Sequence, residues 1–345
     1  MSFTPVVYNQ GVCIMLKKLL YPLFFLLVLE MVSAAPFGDG VELSGELESS
    51  VGLSYRKAEK KYTTGFPLYG QVRLFHGTEK MESVISLYYR QGLDIGETYL
   101  RGGSEYSYMK IGYFIEDWGK GYSVSPLEIL NDRDDRFPSN IFYQRYYKPN
   151  PIMLITVGSD QLQQQVVLSN RRGSVSSVNN TDLGLRGVWN REDYNFSIGL
   201  VRMLGYPPPL IFLTIEQEGT YERAWLEFGW EYHEKTRDLW DFNLGFSREF
   251  SASEMRAEYI INGFNTYLFI EDIFTINQMV KFDFKIFLHI PDFSSAFNTF
   301  FTLNIDNKFD FEPGIFIFIG KRGKYFSPHR GENYNSIYFK LKYSF

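Results

Sequence analysis

Hydrophobic and polar positions trade places at every second residue over most of this chain. Near the C-terminus Ile337, Phe339, Leu341, Tyr343 and Phe345 share one parity, and Tyr338, Lys340, Lys342 and Ser344 share the other. A period of two puts the first set on one face of a β-strand and the second set on the opposite face. The same pattern marks a long first strand, in which Val41, Leu43, Leu47, Val51, Leu53 and Tyr55 alternate with Glu42, Ser44, Glu46, Glu48 and Ser54. Leu226, Phe228, Trp230 and Tyr232 alternate with Glu227, Gly229 and Glu231, and Trp240, Phe242, Leu244 and Phe246 with Asp241, Asn243, Gly245 and Ser247. Met255, Ala257, Tyr259 and Ile261 alternate with Arg256 and Glu258, and Phe282, Phe284, Ile286 and Leu288 with Lys281, Asp283 and Lys285. Phe301, Leu303 and Ile305 alternate with Thr302, Asn304 and Asp306. Further strands are predicted over 68–76, 80–90, 97–101, 106–114, 151–157, 163–169, 182–189, 194–203, 210–216 and 311–319.

Breaks in the rhythm predict the connections. Gly102-Gly103-Ser104 is a hairpin signal, and residues 190–193 join two strands whose outward sets are Leu183, Leu185 and Trp189, then Tyr194, Phe196, Ile198 and Leu200. Residues 57–64 read as a charged turn. Tyr206-Pro207-Pro208-Pro209 cannot donate to a ladder and marks a loop. Residues 116–149 form the largest loop, and 171–180 and 321–335 are polar loops. The clear strands number about seventeen.

Composition decides what the alternation means. The chain is 18% aromatic, with 32 Phe and 25 Tyr among 345 residues, yet its mean hydropathy is only -0.20. A helical membrane protein would be far more apolar. Strands with one aromatic face and one charged face account for both facts, and they are too many for an ordinary sandwich. The expected fold is all-β: a transmembrane antiparallel barrel with aromatics toward lipid and charges toward a wet lumen. A barrel with both termini on one side needs an even strand count. The stretch 266–274, aromatic and lying between Asn262-Gly263 and Asn277, supplies the missing strand. The count is then about 18, with 16 as the alternative, a size at which side chains cannot fill the lumen.

The closing stretch, ending on Phe345, resembles the last strand of bacterial outer-membrane barrels. The segment 109–131 carries Gly112, Trp118-Gly119, Pro126 and Asn131. It is similar to a Gly…Trp-Gly…Pro…Asn pattern in alginate-exporter and capsule-assembly barrels and in related porin-like families. That resemblance implies an early loop packed into or over the lumen and a bacterial outer-membrane location. The partners it implies are outer-membrane lipid, the barrel-assembly machinery acting through the C-terminal strand, and a hydrophilic solute, with saccharides as a candidate. Nothing in the charge pattern, net -5 with no basic cluster in the body of the chain, points to nucleic acid.

The N-terminus reads as export machinery. Met15 precedes Lys17 and Lys18, an apolar run covers 19–29, and Val32-Ser33-Ala34 supplies small residues for cleavage. Residues 1–34 are therefore expected to be a signal peptide with an upstream extension, and 35–345 the barrel. The apolar run is about half the ~20 residues a spanning helix needs. Cys13, the one cysteine, lies upstream of that cleavage point, so no disulfide is expected in the mature chain.

The expected function is a channel or exporter for hydrophilic solutes. The predicted lumen lining is Arg186, Glu227, Glu231, Asp241, Arg256, Glu258, Lys281, Asp283, Lys285, Lys340 and Lys342, whose mixed signs argue against strong ion selectivity. The predicted constriction loop carries Trp118, Tyr122, Glu128, Asp132, Arg133, Asp134, Asp135 and Arg136. Trp118, read by itself, suits the membrane interface at the end of a strand. The acidic residues at 132–135 are interleaved with Arg133 and Arg136, so a solvated loop is expected there and no metal site. His76, His233, His289 and His329 are widely spaced and form no ligand motif, so no cofactor and no catalytic residue is assigned. Two rival readings stand beside the channel: a barrel that binds surface polysaccharide or assists capsule assembly without transport, which would not conduct, and a barrel enzyme, which would lose hydrolysis on substitution of one histidine.

Overall fold

The computed structural model describes residues 41–344, apart from 58–59, 66–67, 79, 90–92, 117, 120–131, 134–146, 171–180, 204–208, 232–238, 264, 306–307 and 329–334. The predicted signal segment and Phe345 lie outside the described residues. So do Tyr122, Glu128, Asp134, Asp135 and Arg136 of the predicted constriction loop.

The strands run β1 Val41–Arg56, β2 in two segments (Lys61–Gly65 and Leu68–Gly77), β3 Met81–Tyr89, β4 Leu93–Gly103, β5 Tyr108–Phe114 and β6 Asn150–Gly158. They continue as β7 Leu162–Asn170, β8 Thr181–Arg191, β9 Tyr194–Met203, β10 Leu210–Glu218, β11 Glu222–Glu231 and β12 Leu239–Glu249. The last are β13 Ser253–Asn262, β14 Asn265–Asn277, β15 Val280–His289, β16 Ser294–Asn304, β17 Phe309–Ile319 and β18 Asn335–Ser344. Both segments of β2 pair with β1. Each strand pairs antiparallel with its sequence neighbours, and β18 pairs with β1 from Asn335↔Tyr55 to Ser344↔Glu46. The result is a closed antiparallel barrel of 18 strands. Closure leaves no strand edge, which is what a sheet needs where water cannot satisfy its amides. Among the described residues there is no helix.

Strand β14 is the one that parity demanded, and it extends past both ends of the predicted 266–274 segment. It leaves only short turns at one rim and places the long connections 115–149, 171–180 and 320–334 at the other. One expectation fails locally. Residues 61–65 are strand, not turn, because Tyr62 and Thr64 continue the two-residue alternation opposite Tyr55 and Leu53. The connection shrinks to 57–60, with Lys60 at φ 53°.

Alternate residues divide between two surfaces. Ile85, Ile111, Leu185, Ile198, Leu244, Phe301, Ile317 and Phe339 are exposed on the outer face. The other parity carries Val84, Leu154, Phe212, Trp225, Glu227 and Glu258, all nearly inaccessible. That face is the inside of the ring: loop side chains lie across it and touch strands that are not neighbours of one another.

Large rings fit on the inner wall because glycines sit beside them. Phe212 lies between Gly199 and Gly229, Trp225 opposite Gly245, and Tyr338 between Gly314 and Gly52. A Cβ added at Gly245 would stand 2.0 Å from the Trp225 ring, and one at Gly314 would stand 2.4 Å from that of Tyr338. Each ring therefore lies flat along the wall, over the backbone of the next strand, rather than standing into the lumen.

Candidate functional site

The candidate site is the inner wall, and it has two levels. Toward the short-turn rim the wall is stitched by ion pairs. Arg256 on β13 meets Glu254 at 2.7 Å and Glu271 on β14 at 2.8 Å. Glu271 also contacts Lys285 on β15, which lies 3.2 Å from Asp283. At the closing seam Lys340 bridges Glu312 on β17 (2.9 Å) and Glu48 on β1 (3.3 Å), while Lys342 reaches Glu46 at 2.9 Å. Arg223 pairs with Glu216 across β10 and β11. The cause is the sequence pattern. Charges of both signs fall on one parity of neighbouring strands, so antiparallel register brings opposite signs together. Arg256, Asp283, Lys285, Lys340 and Lys342 of the lining are thus each held in an ion pair, while Lys281 is exposed near the short-turn rim.

Arg186, Glu227, Glu231, Asp241, Arg256, Glu258, Lys281, Asp283, Lys285, Lys340 and Lys342 all fall on the inner parity. Asp241 accepts a hydrogen bond from the Gly263 backbone N–H at 2.9 Å, at the long-loop rim. Periodicity did not reveal a basic–aromatic strip on β4 and β5. Arg101 lies over the Tyr108 ring (4.1 Å), and Lys110 over Tyr99 (4.0 Å) and Phe114 (4.1 Å). Glu82 supports it, accepting from Tyr99 Oη at 2.6 Å and lying 3.6 Å from Arg101.

Toward the long-loop rim the wall is apolar, in two clusters. The first gathers Tyr99, Phe114, Ile152, Leu154, Val167, Val201, Leu210 and Phe212 around Trp118, which is 1% exposed. Trp118 comes from the connection after β5. Its ring is 5.4 Å from Phe212, the Arg186 guanidinium stands 5.6 Å from it, and its Nε1 donates to Glu116 at 3.2 Å. The Glu97 carboxylate accepts from Ile115 N at 3.2 Å, which steers the chain inward as β5 ends. This corrects the interfacial reading of Trp118: the indole packs against the inner wall, because Phe114 ends β5 on the inner parity and the wall offers an apolar bed. Asp132 and Arg133 pair with Tyr147–Lys148 in a two-residue ribbon within the same connection.

The second cluster holds Ile260, Tyr267, Phe269, Phe287, Ala296, Phe316, Phe318 and Tyr338 around Phe326, again 1% exposed. Phe326 comes from the connection after β17, which its composition marked only as polar. Hydrogen bonds pin it. Tyr325 N donates to Asp292 Oδ2 (2.7 Å), Phe326 N to Ser294 Oγ (2.9 Å), and Ser294 Oγ to Asp292 Oδ1 (2.6 Å). His289 Nδ1 lies 2.9 Å from Asp292, and its ring stacks on Tyr325 at 4.7 Å. Burial works to raise the Asp292 carboxyl, but the donors from Ser294, His289 and the Tyr325 amide outweigh it and hold the group below the ordinary carboxylate range. Between Asp292 and Ser294, Phe293 takes φ 54°, a left-handed conformation that a bulky residue adopts only when its surroundings fix it. Pro291-Asp292 was the available sequence signal, a turn-forming pair beside a histidine. The Ser294 proton is directed to Asp292 rather than to His289, so His289, Asp292 and Ser294 form a latch for the loop and not a nucleophile–base pair.

No family model matches the sequence, and no curated protein matches it. Solved structures do. The chain is similar to OccAB4 of Acinetobacter baumannii, with TM-score 0.62 and 7% identity over 88% of this chain and 98% of that one. It is also similar to a mutant of the Rhodobacter blastica porin, with TM-score 0.52 and 9% identity over 88% of this chain and all of that one (100%). A structure from work on the asymmetric conductivity of engineered proteins matches with TM-score 0.56 and 7% identity, over 88% and 100%. At these identities the likeness is one of fold: a porin-like barrel.

Proposed function

We propose that this chain is a channel for hydrophilic solutes in a bacterial outer membrane. The observation that carries the reading is the partition of the closed barrel. Its outer face is apolar, and its inner face carries paired charges below two flattened aromatic beds. In such a barrel the outer face meets lipid and the inner face meets water. The short-turn rim, with both ends of the described chain, is the periplasmic side, and the long loops face outward. The porin-like neighbours support a conducting role. The neutralised lining implies weak ion selectivity, since Lys285, Arg256 and Lys340 each have a carboxylate within reach. The inward anchors Trp118 and Phe326 make the long-loop mouth the narrow part of the path.

Single-channel conductance of the purified protein in a planar bilayer tests this. Discrete openings with a cation-to-anion permeability ratio near one are expected. A folded barrel that inserts and gives no conductance would overturn the channel and favour a polysaccharide-binding or capsule-assembly role.

A further inference from the structure

Among the described residues, the outer face carries its charged side chains at strand ends, with one departure. His76, Arg191, Arg202, Glu222 and Arg248 each lie within two residues of the end of a strand. Asp272 does not. On β14 the odd positions Tyr267, Phe269 and Glu271 are buried inward, and the even positions Leu268, Ile270, Asp272, Phe274 and Ile276 face outward. The register runs unbroken through this stretch on both sides, so no bulge turns Asp272 inward. Its outward cross-strand neighbours are Met255 and Phe284. Phe274 and Phe282, 6.2 Å apart, lie on its periplasmic side as part of an aromatic girdle, so the carboxylate sits within the apolar band. Among the described residues nothing hydrogen-bonds its Oδ1. A carboxylate facing hydrocarbon without a partner is costly and marks a functional contact.

The same face supplies the complementary charge. Arg248 on β12 is directly opposite Met255 on β13, and Met255 is directly opposite Asp272 on β14. Arg248 is exposed and rests its guanidinium over Phe250, at 5.5 Å from the ring. An acid and a base therefore flank one strand at a common register on one outward face. A two-fold axis normal to the membrane, passing in front of Met255, brings each carboxylate of one copy toward the arginine side of the other. Such a contact is self-complementary, as a closed dimer requires. Beside Met255 the outward residue is Ala257, small enough for two walls to approach.

We infer that two copies of this chain pair in the membrane across β12–β14, with Asp272 of each receiving Arg248 of the other. The inference rests on the outer face lying in lipid, not on conduction through the lumen. The test is native mass spectrometry of the full chain in lipid nanodiscs, with oxidative cross-linking of Met255→Cys in membrane vesicles as a second readout. The wild type is expected to be dimeric, and Met255→Cys to cross-link. Asp272→Asn and Arg248→Gln should each lower the dimer fraction at least tenfold and abolish the cross-link. Asp272→Asn only removes a charge from the lipid face, so the barrel should stay folded, as heat-modifiable mobility on a gel would verify. A monomeric wild type, or a dimer indifferent to Asp272→Asn, overturns the inference. So does loss of thermal stability in both variants without change in association, which would mean that Asp272 pairs with Arg248 of its own chain. A conducting monomer would sink this inference and leave the channel intact.

Discussion

The two inward anchors at the long-loop mouth solve one problem by different chemistry. Trp118 is held by area: its indole lies on Phe212 and Val167, with one hydrogen bond to Glu116 at its edge. Phe326 has a similar apolar bed, but Asp292 and Ser294 hold its backbone as well. An apolar anchor draws on burial and is indifferent to pH. A latch built on a carboxylate depends on that group staying ionised. The long-loop mouth thus has one fastening that responds to acid and one that does not.

Three substitutions separate them, from the largest effect to the smallest. Trp118→Ala should cost the loop anchor about 3–5 kcal/mol, the range for deleting a buried large aromatic. The strand ladder closes without it, so the barrel should survive while the connection after β5 leaves the wall. Single-channel recordings should show higher conductance at every pH, and unchanged conductance would mean that this connection lies outside the path.

Asp292→Asn should weaken the second latch by about 1.5–3 kcal/mol, the worth of hydrogen bonds to a charged group. Its pH dependence has a definite sign. The folded-state carboxyl is depressed below its ordinary value, so its contribution is fully present above about pH 4 and fades as pH falls toward the depressed value. Wild-type channels should be quiet at neutral pH and noisy in strong acid. Asp292→Asn channels should be noisy at both, and Trp118→Ala should leave the acid response as it is. An acid response that survives in Asp292→Asn would move the switch to another group.

Gly184→Ala is the finest probe. Its Cβ would stand 2.5 Å from Val167 Cγ1 and 2.7 Å from Trp118 Cη2, an overpacking of about 1–3 kcal/mol. The indole should shift without leaving, giving a small conductance change and a shifted Trp emission spectrum. The Phe326 side should be untouched, since no residue is shared between the two clusters.

The barrel was legible in the sequence because its signal is repetitive. Every strand carries the period of two, and the even count required of the barrel, together with an aromatic stretch between Asn262-Gly263 and Asn277, points to β14. Eleven of the inner-face charges could be read for the same reason: a residue's face follows from its parity. What the sequence concealed depends on distance in three dimensions. Tyr325 and Phe326 sit in a polar stretch, and nothing local says that Asp292, more than thirty residues earlier, receives them. Trp118 looked interfacial because an indole at a strand end suits that place equally well, and only the apolar bed assembled by β6–β10 decides otherwise. Residues 61–64 misled because the charged run 57–61 resembles a turn where a hairpin rises above its rim.

The glycines beside the wall aromatics bear on how the barrel finds its register. If β12 slid two residues along β11, parity would be kept, but Trp225 would meet Asn243 or Ser247 in place of Gly245. The ring would then have no recess to enter. At the last step β18 must find β1 across the open gap, and Tyr338 is seated between Gly314, already on its own side, and Gly52 on the far side. The ring itself lies over Gly314 and its hydroxyl donates to Asn298 on β16 at 3.0 Å, with only the Tyr338 Cβ near Gly52, so this key is seated on β17 before closure and β18 meets β1 as an already registered edge.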